Sequence, residues 1–277
     1  MAGDWRFIGI DVHDAYMNMA VDEAILTMRG RGESPNTVRL YRWRPSAVSI
    51  GYSQAVDEVV NLPACRSLGV DVVRRISGGG AILHDFCGEL TYSVVVALDS
   101  AMMPDDVARS YEVICGGLLG GLRRLGVAAE YRLPRDPRYC PSIYASRKKI
   151  SGNAQTRRRG VVLQHGTIMI GTDLGVMEKV LKLPRPAGAA RPLEESVTTI
   201  ERELGKALEF EEVAEALKLG FSEAFGCELS DGRLSREELQ LALNLRDSKY
   251  STAEWNFGRL TSNRRGEDSS PVTCANV

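Results

Sequence analysis

From residue 14 to residue 29 apolar side chains return with helical spacing: Met17, Ala20 and Val21, Ala24 and Ile25, then Met28. The pattern predicts an amphipathic helix, with Asp14 placed to cap its first free N–H groups. The methionines read as core filler. Gly30, Gly32, Ser34 and Pro35 then make a loop, and the period changes to two. Residues 37–43 read as a strand with Arg39, Tyr41 and Trp43 on one face. Residues 47–52 read as its hairpin partner around Pro45 and Ser46.

Two further strands, residues 70–75 and 90–98, flank a glycine loop, and the β-branched second one reads as central. Residues 105–125 have helical spacing but hold two glycine pairs, Gly116–Gly117 and Gly120–Gly121. Each glycine costs a helix about 1 kcal/mol against alanine, so close packing on the sheet is the expected compensation. Residues 127–132 form a strand, 133–141 a proline-rich loop, and 146–155 with 160–171 a hairpin closed by an arginine run. Residues 182–192 read as a mobile loop. Thr198 and Glu201 fit a capping box before a short helix, and Ser235 and Glu238 fit another that opens a helix over 235–249. Residues 210–225 are helical. After Arg259 the chain turns polar, and 261–277 read as a disordered tail. Strands and helices do not alternate strictly, which predicts an α+β fold with a mixed or antiparallel sheet backed by helices. One domain is expected over 1–260, with a helical C-terminal part from 210.

Net charge is −1 on 277 residues, so no bulk field favours nucleic acid or membrane. The clusters Arg74–Arg75, Arg147–Lys149 and Arg157–Arg159 read as charge directed at a site, with a solvated face the alternative for the last. No run of about 18 apolar residues predicts a membrane span, and the N-terminus shows no signal-peptide core, so a cytoplasmic protein is expected. Six scattered cysteines, at 65, 87, 115, 140, 227 and 274, form no Cys-x-x-Cys pair. Neither a zinc ribbon nor a disulfide framework is indicated. His13, His84 and His165 lack metal-hydrolase spacing.

The candidate chemistry lies at Arg74–Arg75–Ile76–Ser77–Gly78–Gly79–Gly80. Adjacent glycines open main-chain N–H groups to a ligand, and arginines beside them supply forked donors, so an anion seat is suggested. No Gly-Lys-Ser/Thr follows, which excludes a Walker loop. The contiguous glycines and the strand-like run after them exclude the dinucleotide fingerprint. A second basic, glycine-containing stretch, 147–155, is expected to face the first across a sheet.

These residues carry a family resemblance. Residues 74–85, ending Gly80–Ala81–Ile82–Leu83–His84–Asp85, resemble the first signature of the lipoate-protein ligase family. Lys149–Ile150–Ser151–Gly152–Asn153–Ala154–Gln155 resembles its second, and Gln164–His165–Gly166–Thr167 its third. Residues 249–259 are similar to its terminal segment. The resemblance implies the catalytic fold shared by biotin and lipoate ligases, related to class II aminoacyl-tRNA synthetases. It implies that Arg75, Gly78, Gly79, Gly80, Ala81, Ile82 and Leu83 contact ATP. Lys149 would touch both nucleotide and acyl group as the catalytic cation. Ser151, Gly152, Asn153, His165 and Gly166 would shape the acyl pocket, and His84 and Asp85 would border the nucleotide or metal site.

The leading expectation is an ATP-dependent lipoate-protein ligase. It would use ATP with Mg²⁺, form lipoyl-AMP, and pass the lipoyl group to a lysine of an apo lipoyl domain or a glycine-cleavage H-type protein. The alternative within the family is an ATP-independent octanoyltransferase with Cys140 as the acyl-carrying nucleophile, its thiolate favoured by Arg138 and Lys148–Lys149. A third reading, prompted by the chain ending soon after the Trp255–Phe257 segment, is a ligase subunit that needs a small accessory protein. Lipoate and octanoate both remain open as the acyl substrate.

Overall fold

Helical spacing and cap chemistry place the first helix where expected, with the Asp14 carboxylate accepting from the Met17 N–H at 2.7 Å. This computed structural model describes residues 5–100, 102–134, 140–183 and 192–258. The first half runs β1 (Trp5–His13), α1 (Ala15–Gly30), β2 (Asn36–Trp43), β3 (Ala47–Ile50), α2 (Val56–Val59), α3 (Leu62–Leu68), β4 (Asp71–Arg74), β5 (Ile82–His84), β6 (Glu89–Ala97) and α4 (Val107–Arg124). It continues as β7 (Ala129–Arg132), β8 (Ser142–Ala145), β9 (Lys148–Arg158), β10 (Val161–Met169), α5 (Leu174–Val180), α6 (Ile200–Leu204), α7 (Phe210–Phe225), β11 (Leu229–Asp231), α8 (Arg236–Leu245) and α9 (Ala253–Phe257).

The large sheet has the order β11-β1-β2-β6-β10-β9-β8-β7. β1 lies parallel to β2 and β11, and the remaining pairs are antiparallel. The expected mixed, largely antiparallel α+β architecture is what the chain adopts. β6 is buried along its whole length, as its run of valines requires of a central strand. The hairpin expected at 146–171 is β9–β10, paired from Val161–Arg158 to Gly166–Asn153. α4 and α7 cover one face of the sheet with a core that includes Leu118, Leu122, Leu217 and Phe221. α1 and α8 pack on the other side around Ile25, Tyr41 and Trp43.

Four local expectations need correction. The 47–52 segment does not pair with β2. β1 and β6 already occupy both edges of β2, so β3 instead sits between β4 and β5 in a separate three-stranded sheet. The glycines of α4 serve a helix contact, not a sheet contact. A Cβ on Gly117 would lie 2.2 Å from the Phe221 ring, and one on Gly220 would lie 2.3 Å from the Gly117 carbonyl, so α4 and α7 approach backbone to backbone. The cap of α6 is Thr199, not Thr198. The Glu201 carboxylate turns instead to the Leu208 N–H at 3.3 Å, while Thr198 Oγ1 donates to Glu203. The 235–249 helix opens on its capping box but changes to a wider π-type turn over Arg246–Tyr250. The mobile-loop and tail expectations fall mostly on 184–191 and wholly on 261–277, outside the described residues.

Candidate active site

The two arginines before the glycines do different work. Arg74 turns away from the glycine loop and is 1% exposed. Its guanidinium donates to the carbonyls of Gly51, Tyr52 and Gln54 on one side and of Trp255, Asn256 and Gly258 on the other. Its N–H bonds Asn256 Oδ1 at 2.9 Å, and its carbonyl receives the Trp255 indole N–H. The reading of Arg74 as site-directed charge is therefore corrected: it latches the 253–258 segment onto β4. Arg75 faces the site. Its five N–H donors go to Ser49 O and Oγ, Ser77 Oγ, Gly78 O and Gly80 O, so it braces the triglycine bend from inside. Burial lowers its pKa to about 10, which leaves it charged at neutral pH. Gly79 takes φ +86°, and a Cβ on Gly51 would stand 2.0 Å from the Gly79 carbonyl, so the bend rests directly on the end of β3.

The bend closes a cavity of about 160 Å³ against the large sheet. Its lining comes from Met19, Tyr41, Trp43, Ser49, Arg75, Gly79, Gly80, Ala81, Ile82, His84 and Thr91 on one part. Cys140, Lys149, Gly152, Asn153, Ala154, His165, Gly166 and Thr167 complete it. Strand register explains the grouping. Tyr41, Thr91 and Thr167 are successive cross-strand partners on β2, β6 and β10, and the Gly152 N–H on β9 reaches Thr167 Oγ1 at 3.2 Å. The next rung is Ser93, His165 and Ala154. A Cβ on Gly79 would sit 3.5 Å from the Ala154 Cβ and 3.7 Å from Cys140 Sγ. The two glycine-containing stretches therefore face one another across the cavity.

Two buried histidine networks stand behind this lining. Asp22, 1% exposed, accepts from Arg39 Nη1 at 3.0 Å, Tyr41 OH at 2.9 Å and Ser93 Oγ at 2.9 Å, and it pairs with His165 Nδ1 at 3.0 Å. Burial alone would raise its pKa. The His165 hydrogen bond, the charge of Arg39 and the Tyr41 hydroxyl outweigh that and hold it below the ordinary aspartate range. His165 Nε2 meets Ser77 Oγ at 2.6 Å, which ties β10 to the glycine bend. In the second network His84 Nε2 meets Ser49 Oγ at 2.7 Å and its Nδ1 meets Glu89 at 3.3 Å. Burial, then the Arg75 charge, depresses His84 strongly, and burial raises Glu89 well above the usual glutamate range. The Trp43 ring stacks on His84 at 3.9 Å and its indole N–H donates to Thr91 Oγ1 at 2.7 Å.

The cationic end of the cavity holds Lys149, Arg75 and Cys140. Desolvation lowers the Lys149 pKa, and the sulfur of Cys140 opposes that shift electrostatically, as it does for Arg75. Lys149 is fixed by its own backbone, whose N–H bonds Ser196 O at 2.8 Å and whose carbonyl receives the Thr198 N–H. Cys140 Sγ thus shares one end of the cavity with two cationic side chains. Among the described residues no group of three or more His, Cys, Asp or Glu is arranged to hold a metal ion.

Of the residues singled out in the sequence, Arg75, Gly79, Gly80, Ala81, Ile82, His84, Cys140, Lys149, Gly152, Asn153, His165 and Gly166 line the cavity. Four do not. Gly78 gives its carbonyl to Arg75, and Leu83, on β5, turns into the apolar core beside the small sheet. Asp85 accepts from the N–H groups of Cys87 and Asp173 in a turn. Ser151 is buried, with its hydroxyl 3.4 Å from Asn153 Oδ1. Thr167, part of the third signature, lines the cavity as well, whereas Asp22, Ser49 and Thr91 were not anticipated as parts of this assembly. Asp22 left one trace: it stands four residues after Asn18 among the apolar residues of α1, so one turn of the helix stacks two polar groups on a buried side.

This fold and cavity define the class. A family model described as the lipoyl protein ligase A/B catalytic domain matches residues 14–222, and the chain belongs to that family of lipoate ligases and transferases. Among particular relatives, the octanoyltransferase LipM of Brevibacillus brevis is 38% identical over 275 residues, covering 92% of this chain and 99% of that one. Octanoyltransferase LipM of Bacillus subtilis is 34% identical over 275 residues, covering 92% and 98%. A solved lipoate-protein ligase A bound with ATP matches with TM-score 0.82 and 32% identity over 93% of this chain and 100% of that one. A putative lipoate protein ligase from T. acidophilum with bound lipoic acid matches with TM-score 0.80 and 32% identity, covering 92% and 99%. The curated relatives, matched over nearly their full length, are named octanoyltransferases. They overturn the leading expectation of an ATP-dependent lipoate ligase. The enzyme belongs to the wider ligase and transferase family, and among the described residues no helix is long and apolar enough to cross a membrane.

Proposed function

We propose that this protein is an octanoyltransferase that carries the octanoyl group as a thioester on Cys140. The observation that bears most weight is the place of Cys140: its sulfur lines the acyl-sized cavity beside Lys149 and Arg75. The shape of the cavity supports the substrate class. Three strand spacings separate β9 from β2, about 14 Å, and an extended eight-carbon acyl chain needs about 10 Å. The polar atoms of Thr91, His84, His165 and Ser49 are engaged in hydrogen bonds behind the lining, and Met19, Trp43, Ala81, Ile82 and Ala154 give the cavity an apolar wall. A saturated chain leaves none of these groups without a partner.

In the first step the Cys140 thiolate attacks the thioester carbonyl of an octanoyl-carrier protein, having given its proton to Lys149. The tetrahedral oxyanion collapses, the carrier thiolate leaves, and the Lys149 ammonium returns the proton to it. In the second step the neutral amine of an acceptor lysine, on an apo lipoyl domain or H-type protein, attacks the Cys140 thioester. An amide forms, the C–S bond breaks, and Lys149 takes the proton that the amine loses. Arg75 and Lys149 supply fixed positive charge where the oxyanion develops, a large contribution in a site closed to water. The thioester already stores the energy of the new amide, so neither step draws on ATP or on an accessory adenylating subunit.

The test is a transfer assay with an apo lipoyl domain. Octanoyl-carrier protein without ATP should yield the octanoylated domain, and lipoate plus ATP should yield neither lipoylated domain nor pyrophosphate. Lipoylation with pyrophosphate release, and no transfer from the carrier, would overturn the proposal.

A further inference from the structure

Among the arginines that the cavity does not use, Arg157 on β9 heads a chain of side chains that ends beside Cys140. Its Nε–H donates to Gln155 Oε1 at 3.1 Å. Gln155 Nε2 donates to Gln164 Oε1 at 3.0 Å, and Gln164 Nε2 donates to the Tyr92 hydroxyl at 2.8 Å. That hydroxyl donates to Asn153 Oδ1 at 2.7 Å, and Asn153 Nδ2 donates to the Pro141 carbonyl at 3.1 Å. Gln155, Gln164 and Tyr92 are buried at 3%, 0% and 0% exposure. Every donor points the same way, from the guanidinium to the peptide that follows Cys140.

A one-directional chain has one consistent set of amide orientations. Turning any amide round would set donor against donor or acceptor against acceptor in a buried place. Each bond polarises the next, and the low local dielectric strengthens the series. The cation fixes the direction at its head. Gln155 also donates to Ser110 Oγ at 3.1 Å, and Arg157 Nη2 donates to the same oxygen at 2.7 Å, so the head is braced on α4. Burial raises the Tyr92 phenol well above its usual range, which keeps it a donor at any physiological pH.

We propose that Tyr92, Gln164 and Gln155 are positioning residues, holding the Cys140–Pro141 segment at the cavity through Asn153 with Arg157 as their anchor. The proposal rests on Cys140 being the acyl carrier. It goes beyond that reading because none of the three residues lines the cavity.

The experiment compares wild type, Tyr92→Phe, Arg157→Met and the double variant, well below their unfolding temperatures. Steady-state transfer from octanoyl-carrier protein to an apo lipoyl domain is measured beside the rate of Cys140 alkylation by iodoacetamide, followed by peptide mass. In Tyr92→Phe, kcat should fall about tenfold or more while KM for the donor stays within about twofold, because position is lost and binding is kept. Alkylation of Cys140 should slow in both single variants. The double variant should be no worse than Tyr92→Phe alone, since both cuts sever one chain. Unchanged kcat and alkylation in Tyr92→Phe, or losses that add in the double variant, would overturn the proposal. If Tyr92→Phe does not fold, Arg157→Met decides alone, with unchanged kcat and alkylation as the contrary result. Absence of octanoyl on Cys140 in wild type would instead defeat the transferase reading, with the alkylation series still testing the chain.

Discussion

Replacing Asp22 with Asn changes almost no volume, so its cost comes from charge and hydrogen bonding and not from a cavity. Asp22 is the near counter-charge of Arg39, a guanidinium with no exposed side-chain surface. The other carboxylate in reach is Asp11, at 3.6 Å and 34% exposed. An asparagine can still accept on one atom, but its NH₂ group either faces the Arg39 donor or obliges Tyr41 and His165 to reverse their hydrogen bonds. Removing one partner of a buried pair costs about 3–5 kcal/mol, and that is the expected loss in urea unfolding at pH 7. The folded carboxylate titrates below its ordinary range. Its contribution is therefore fully present above the unfolded value of about 4 and is lost as pH falls through the lower folded value. Wild type should lose stability over that acid window, and Asp22→Asn should lose less there. A cost below about 1 kcal/mol at pH 7, the size of an exposed pair, or identical acid limbs in the two proteins, would refute the reasoning.

Three other substitutions probe the remaining parts of the site. Gly51→Ala puts a methyl against the Gly79 carbonyl, so it should destabilise by about 1–3 kcal/mol and shift the cavity wall; a thermal melt with a transfer assay checks both. Lys149→Ala and Lys149→Arg should each cost about 10²–10³ in rate, the second because a guanidinium cannot take up the thiol proton. Because burial lowers Lys149, the rate of Cys140 acylation by octanoyl-carrier protein, measured without acceptor, should climb with pH and level off before the ordinary lysine range; an acylation rate that keeps rising to about pH 10 would contradict its role as base. Arg74→Met leaves carbonyls of both the 51–54 turn and the 255–258 segment without their donor. It should cost at least about 3 kcal/mol and open the C-terminal segment to limited proteolysis.

What was legible in the sequence was local. The Asp14 cap, the Ser235–Glu238 capping box and the β9–β10 hairpin depend on residues within a turn or a strand of one another, and they form as expected. The site signatures named most of the lining because the resemblance carries side chains that converge only in the fold. Non-local choices were not legible. Nothing near residues 47–50 says that both edges of β2 are taken, and nothing near Gly117 says that Phe221 needs its space. Arg74 and Arg75 are adjacent and chemically alike, yet strand alternation sends one to the C-terminal segment and the other to the triglycine bend. Proximity in the chain put Lys149 near Cys140, but Arg75, which shares the cavity with them, comes from the end of a different strand, β4.

The most direct test of the central claim is the intact mass of the protein after brief mixing with octanoyl-carrier protein, with no ATP and no acceptor. One added octanoyl group should appear, map to Cys140, be released by hydroxylamine, and be absent in Cys140→Ala. A wild-type mass that stays unchanged, or an acyl group on another residue, would contradict the account.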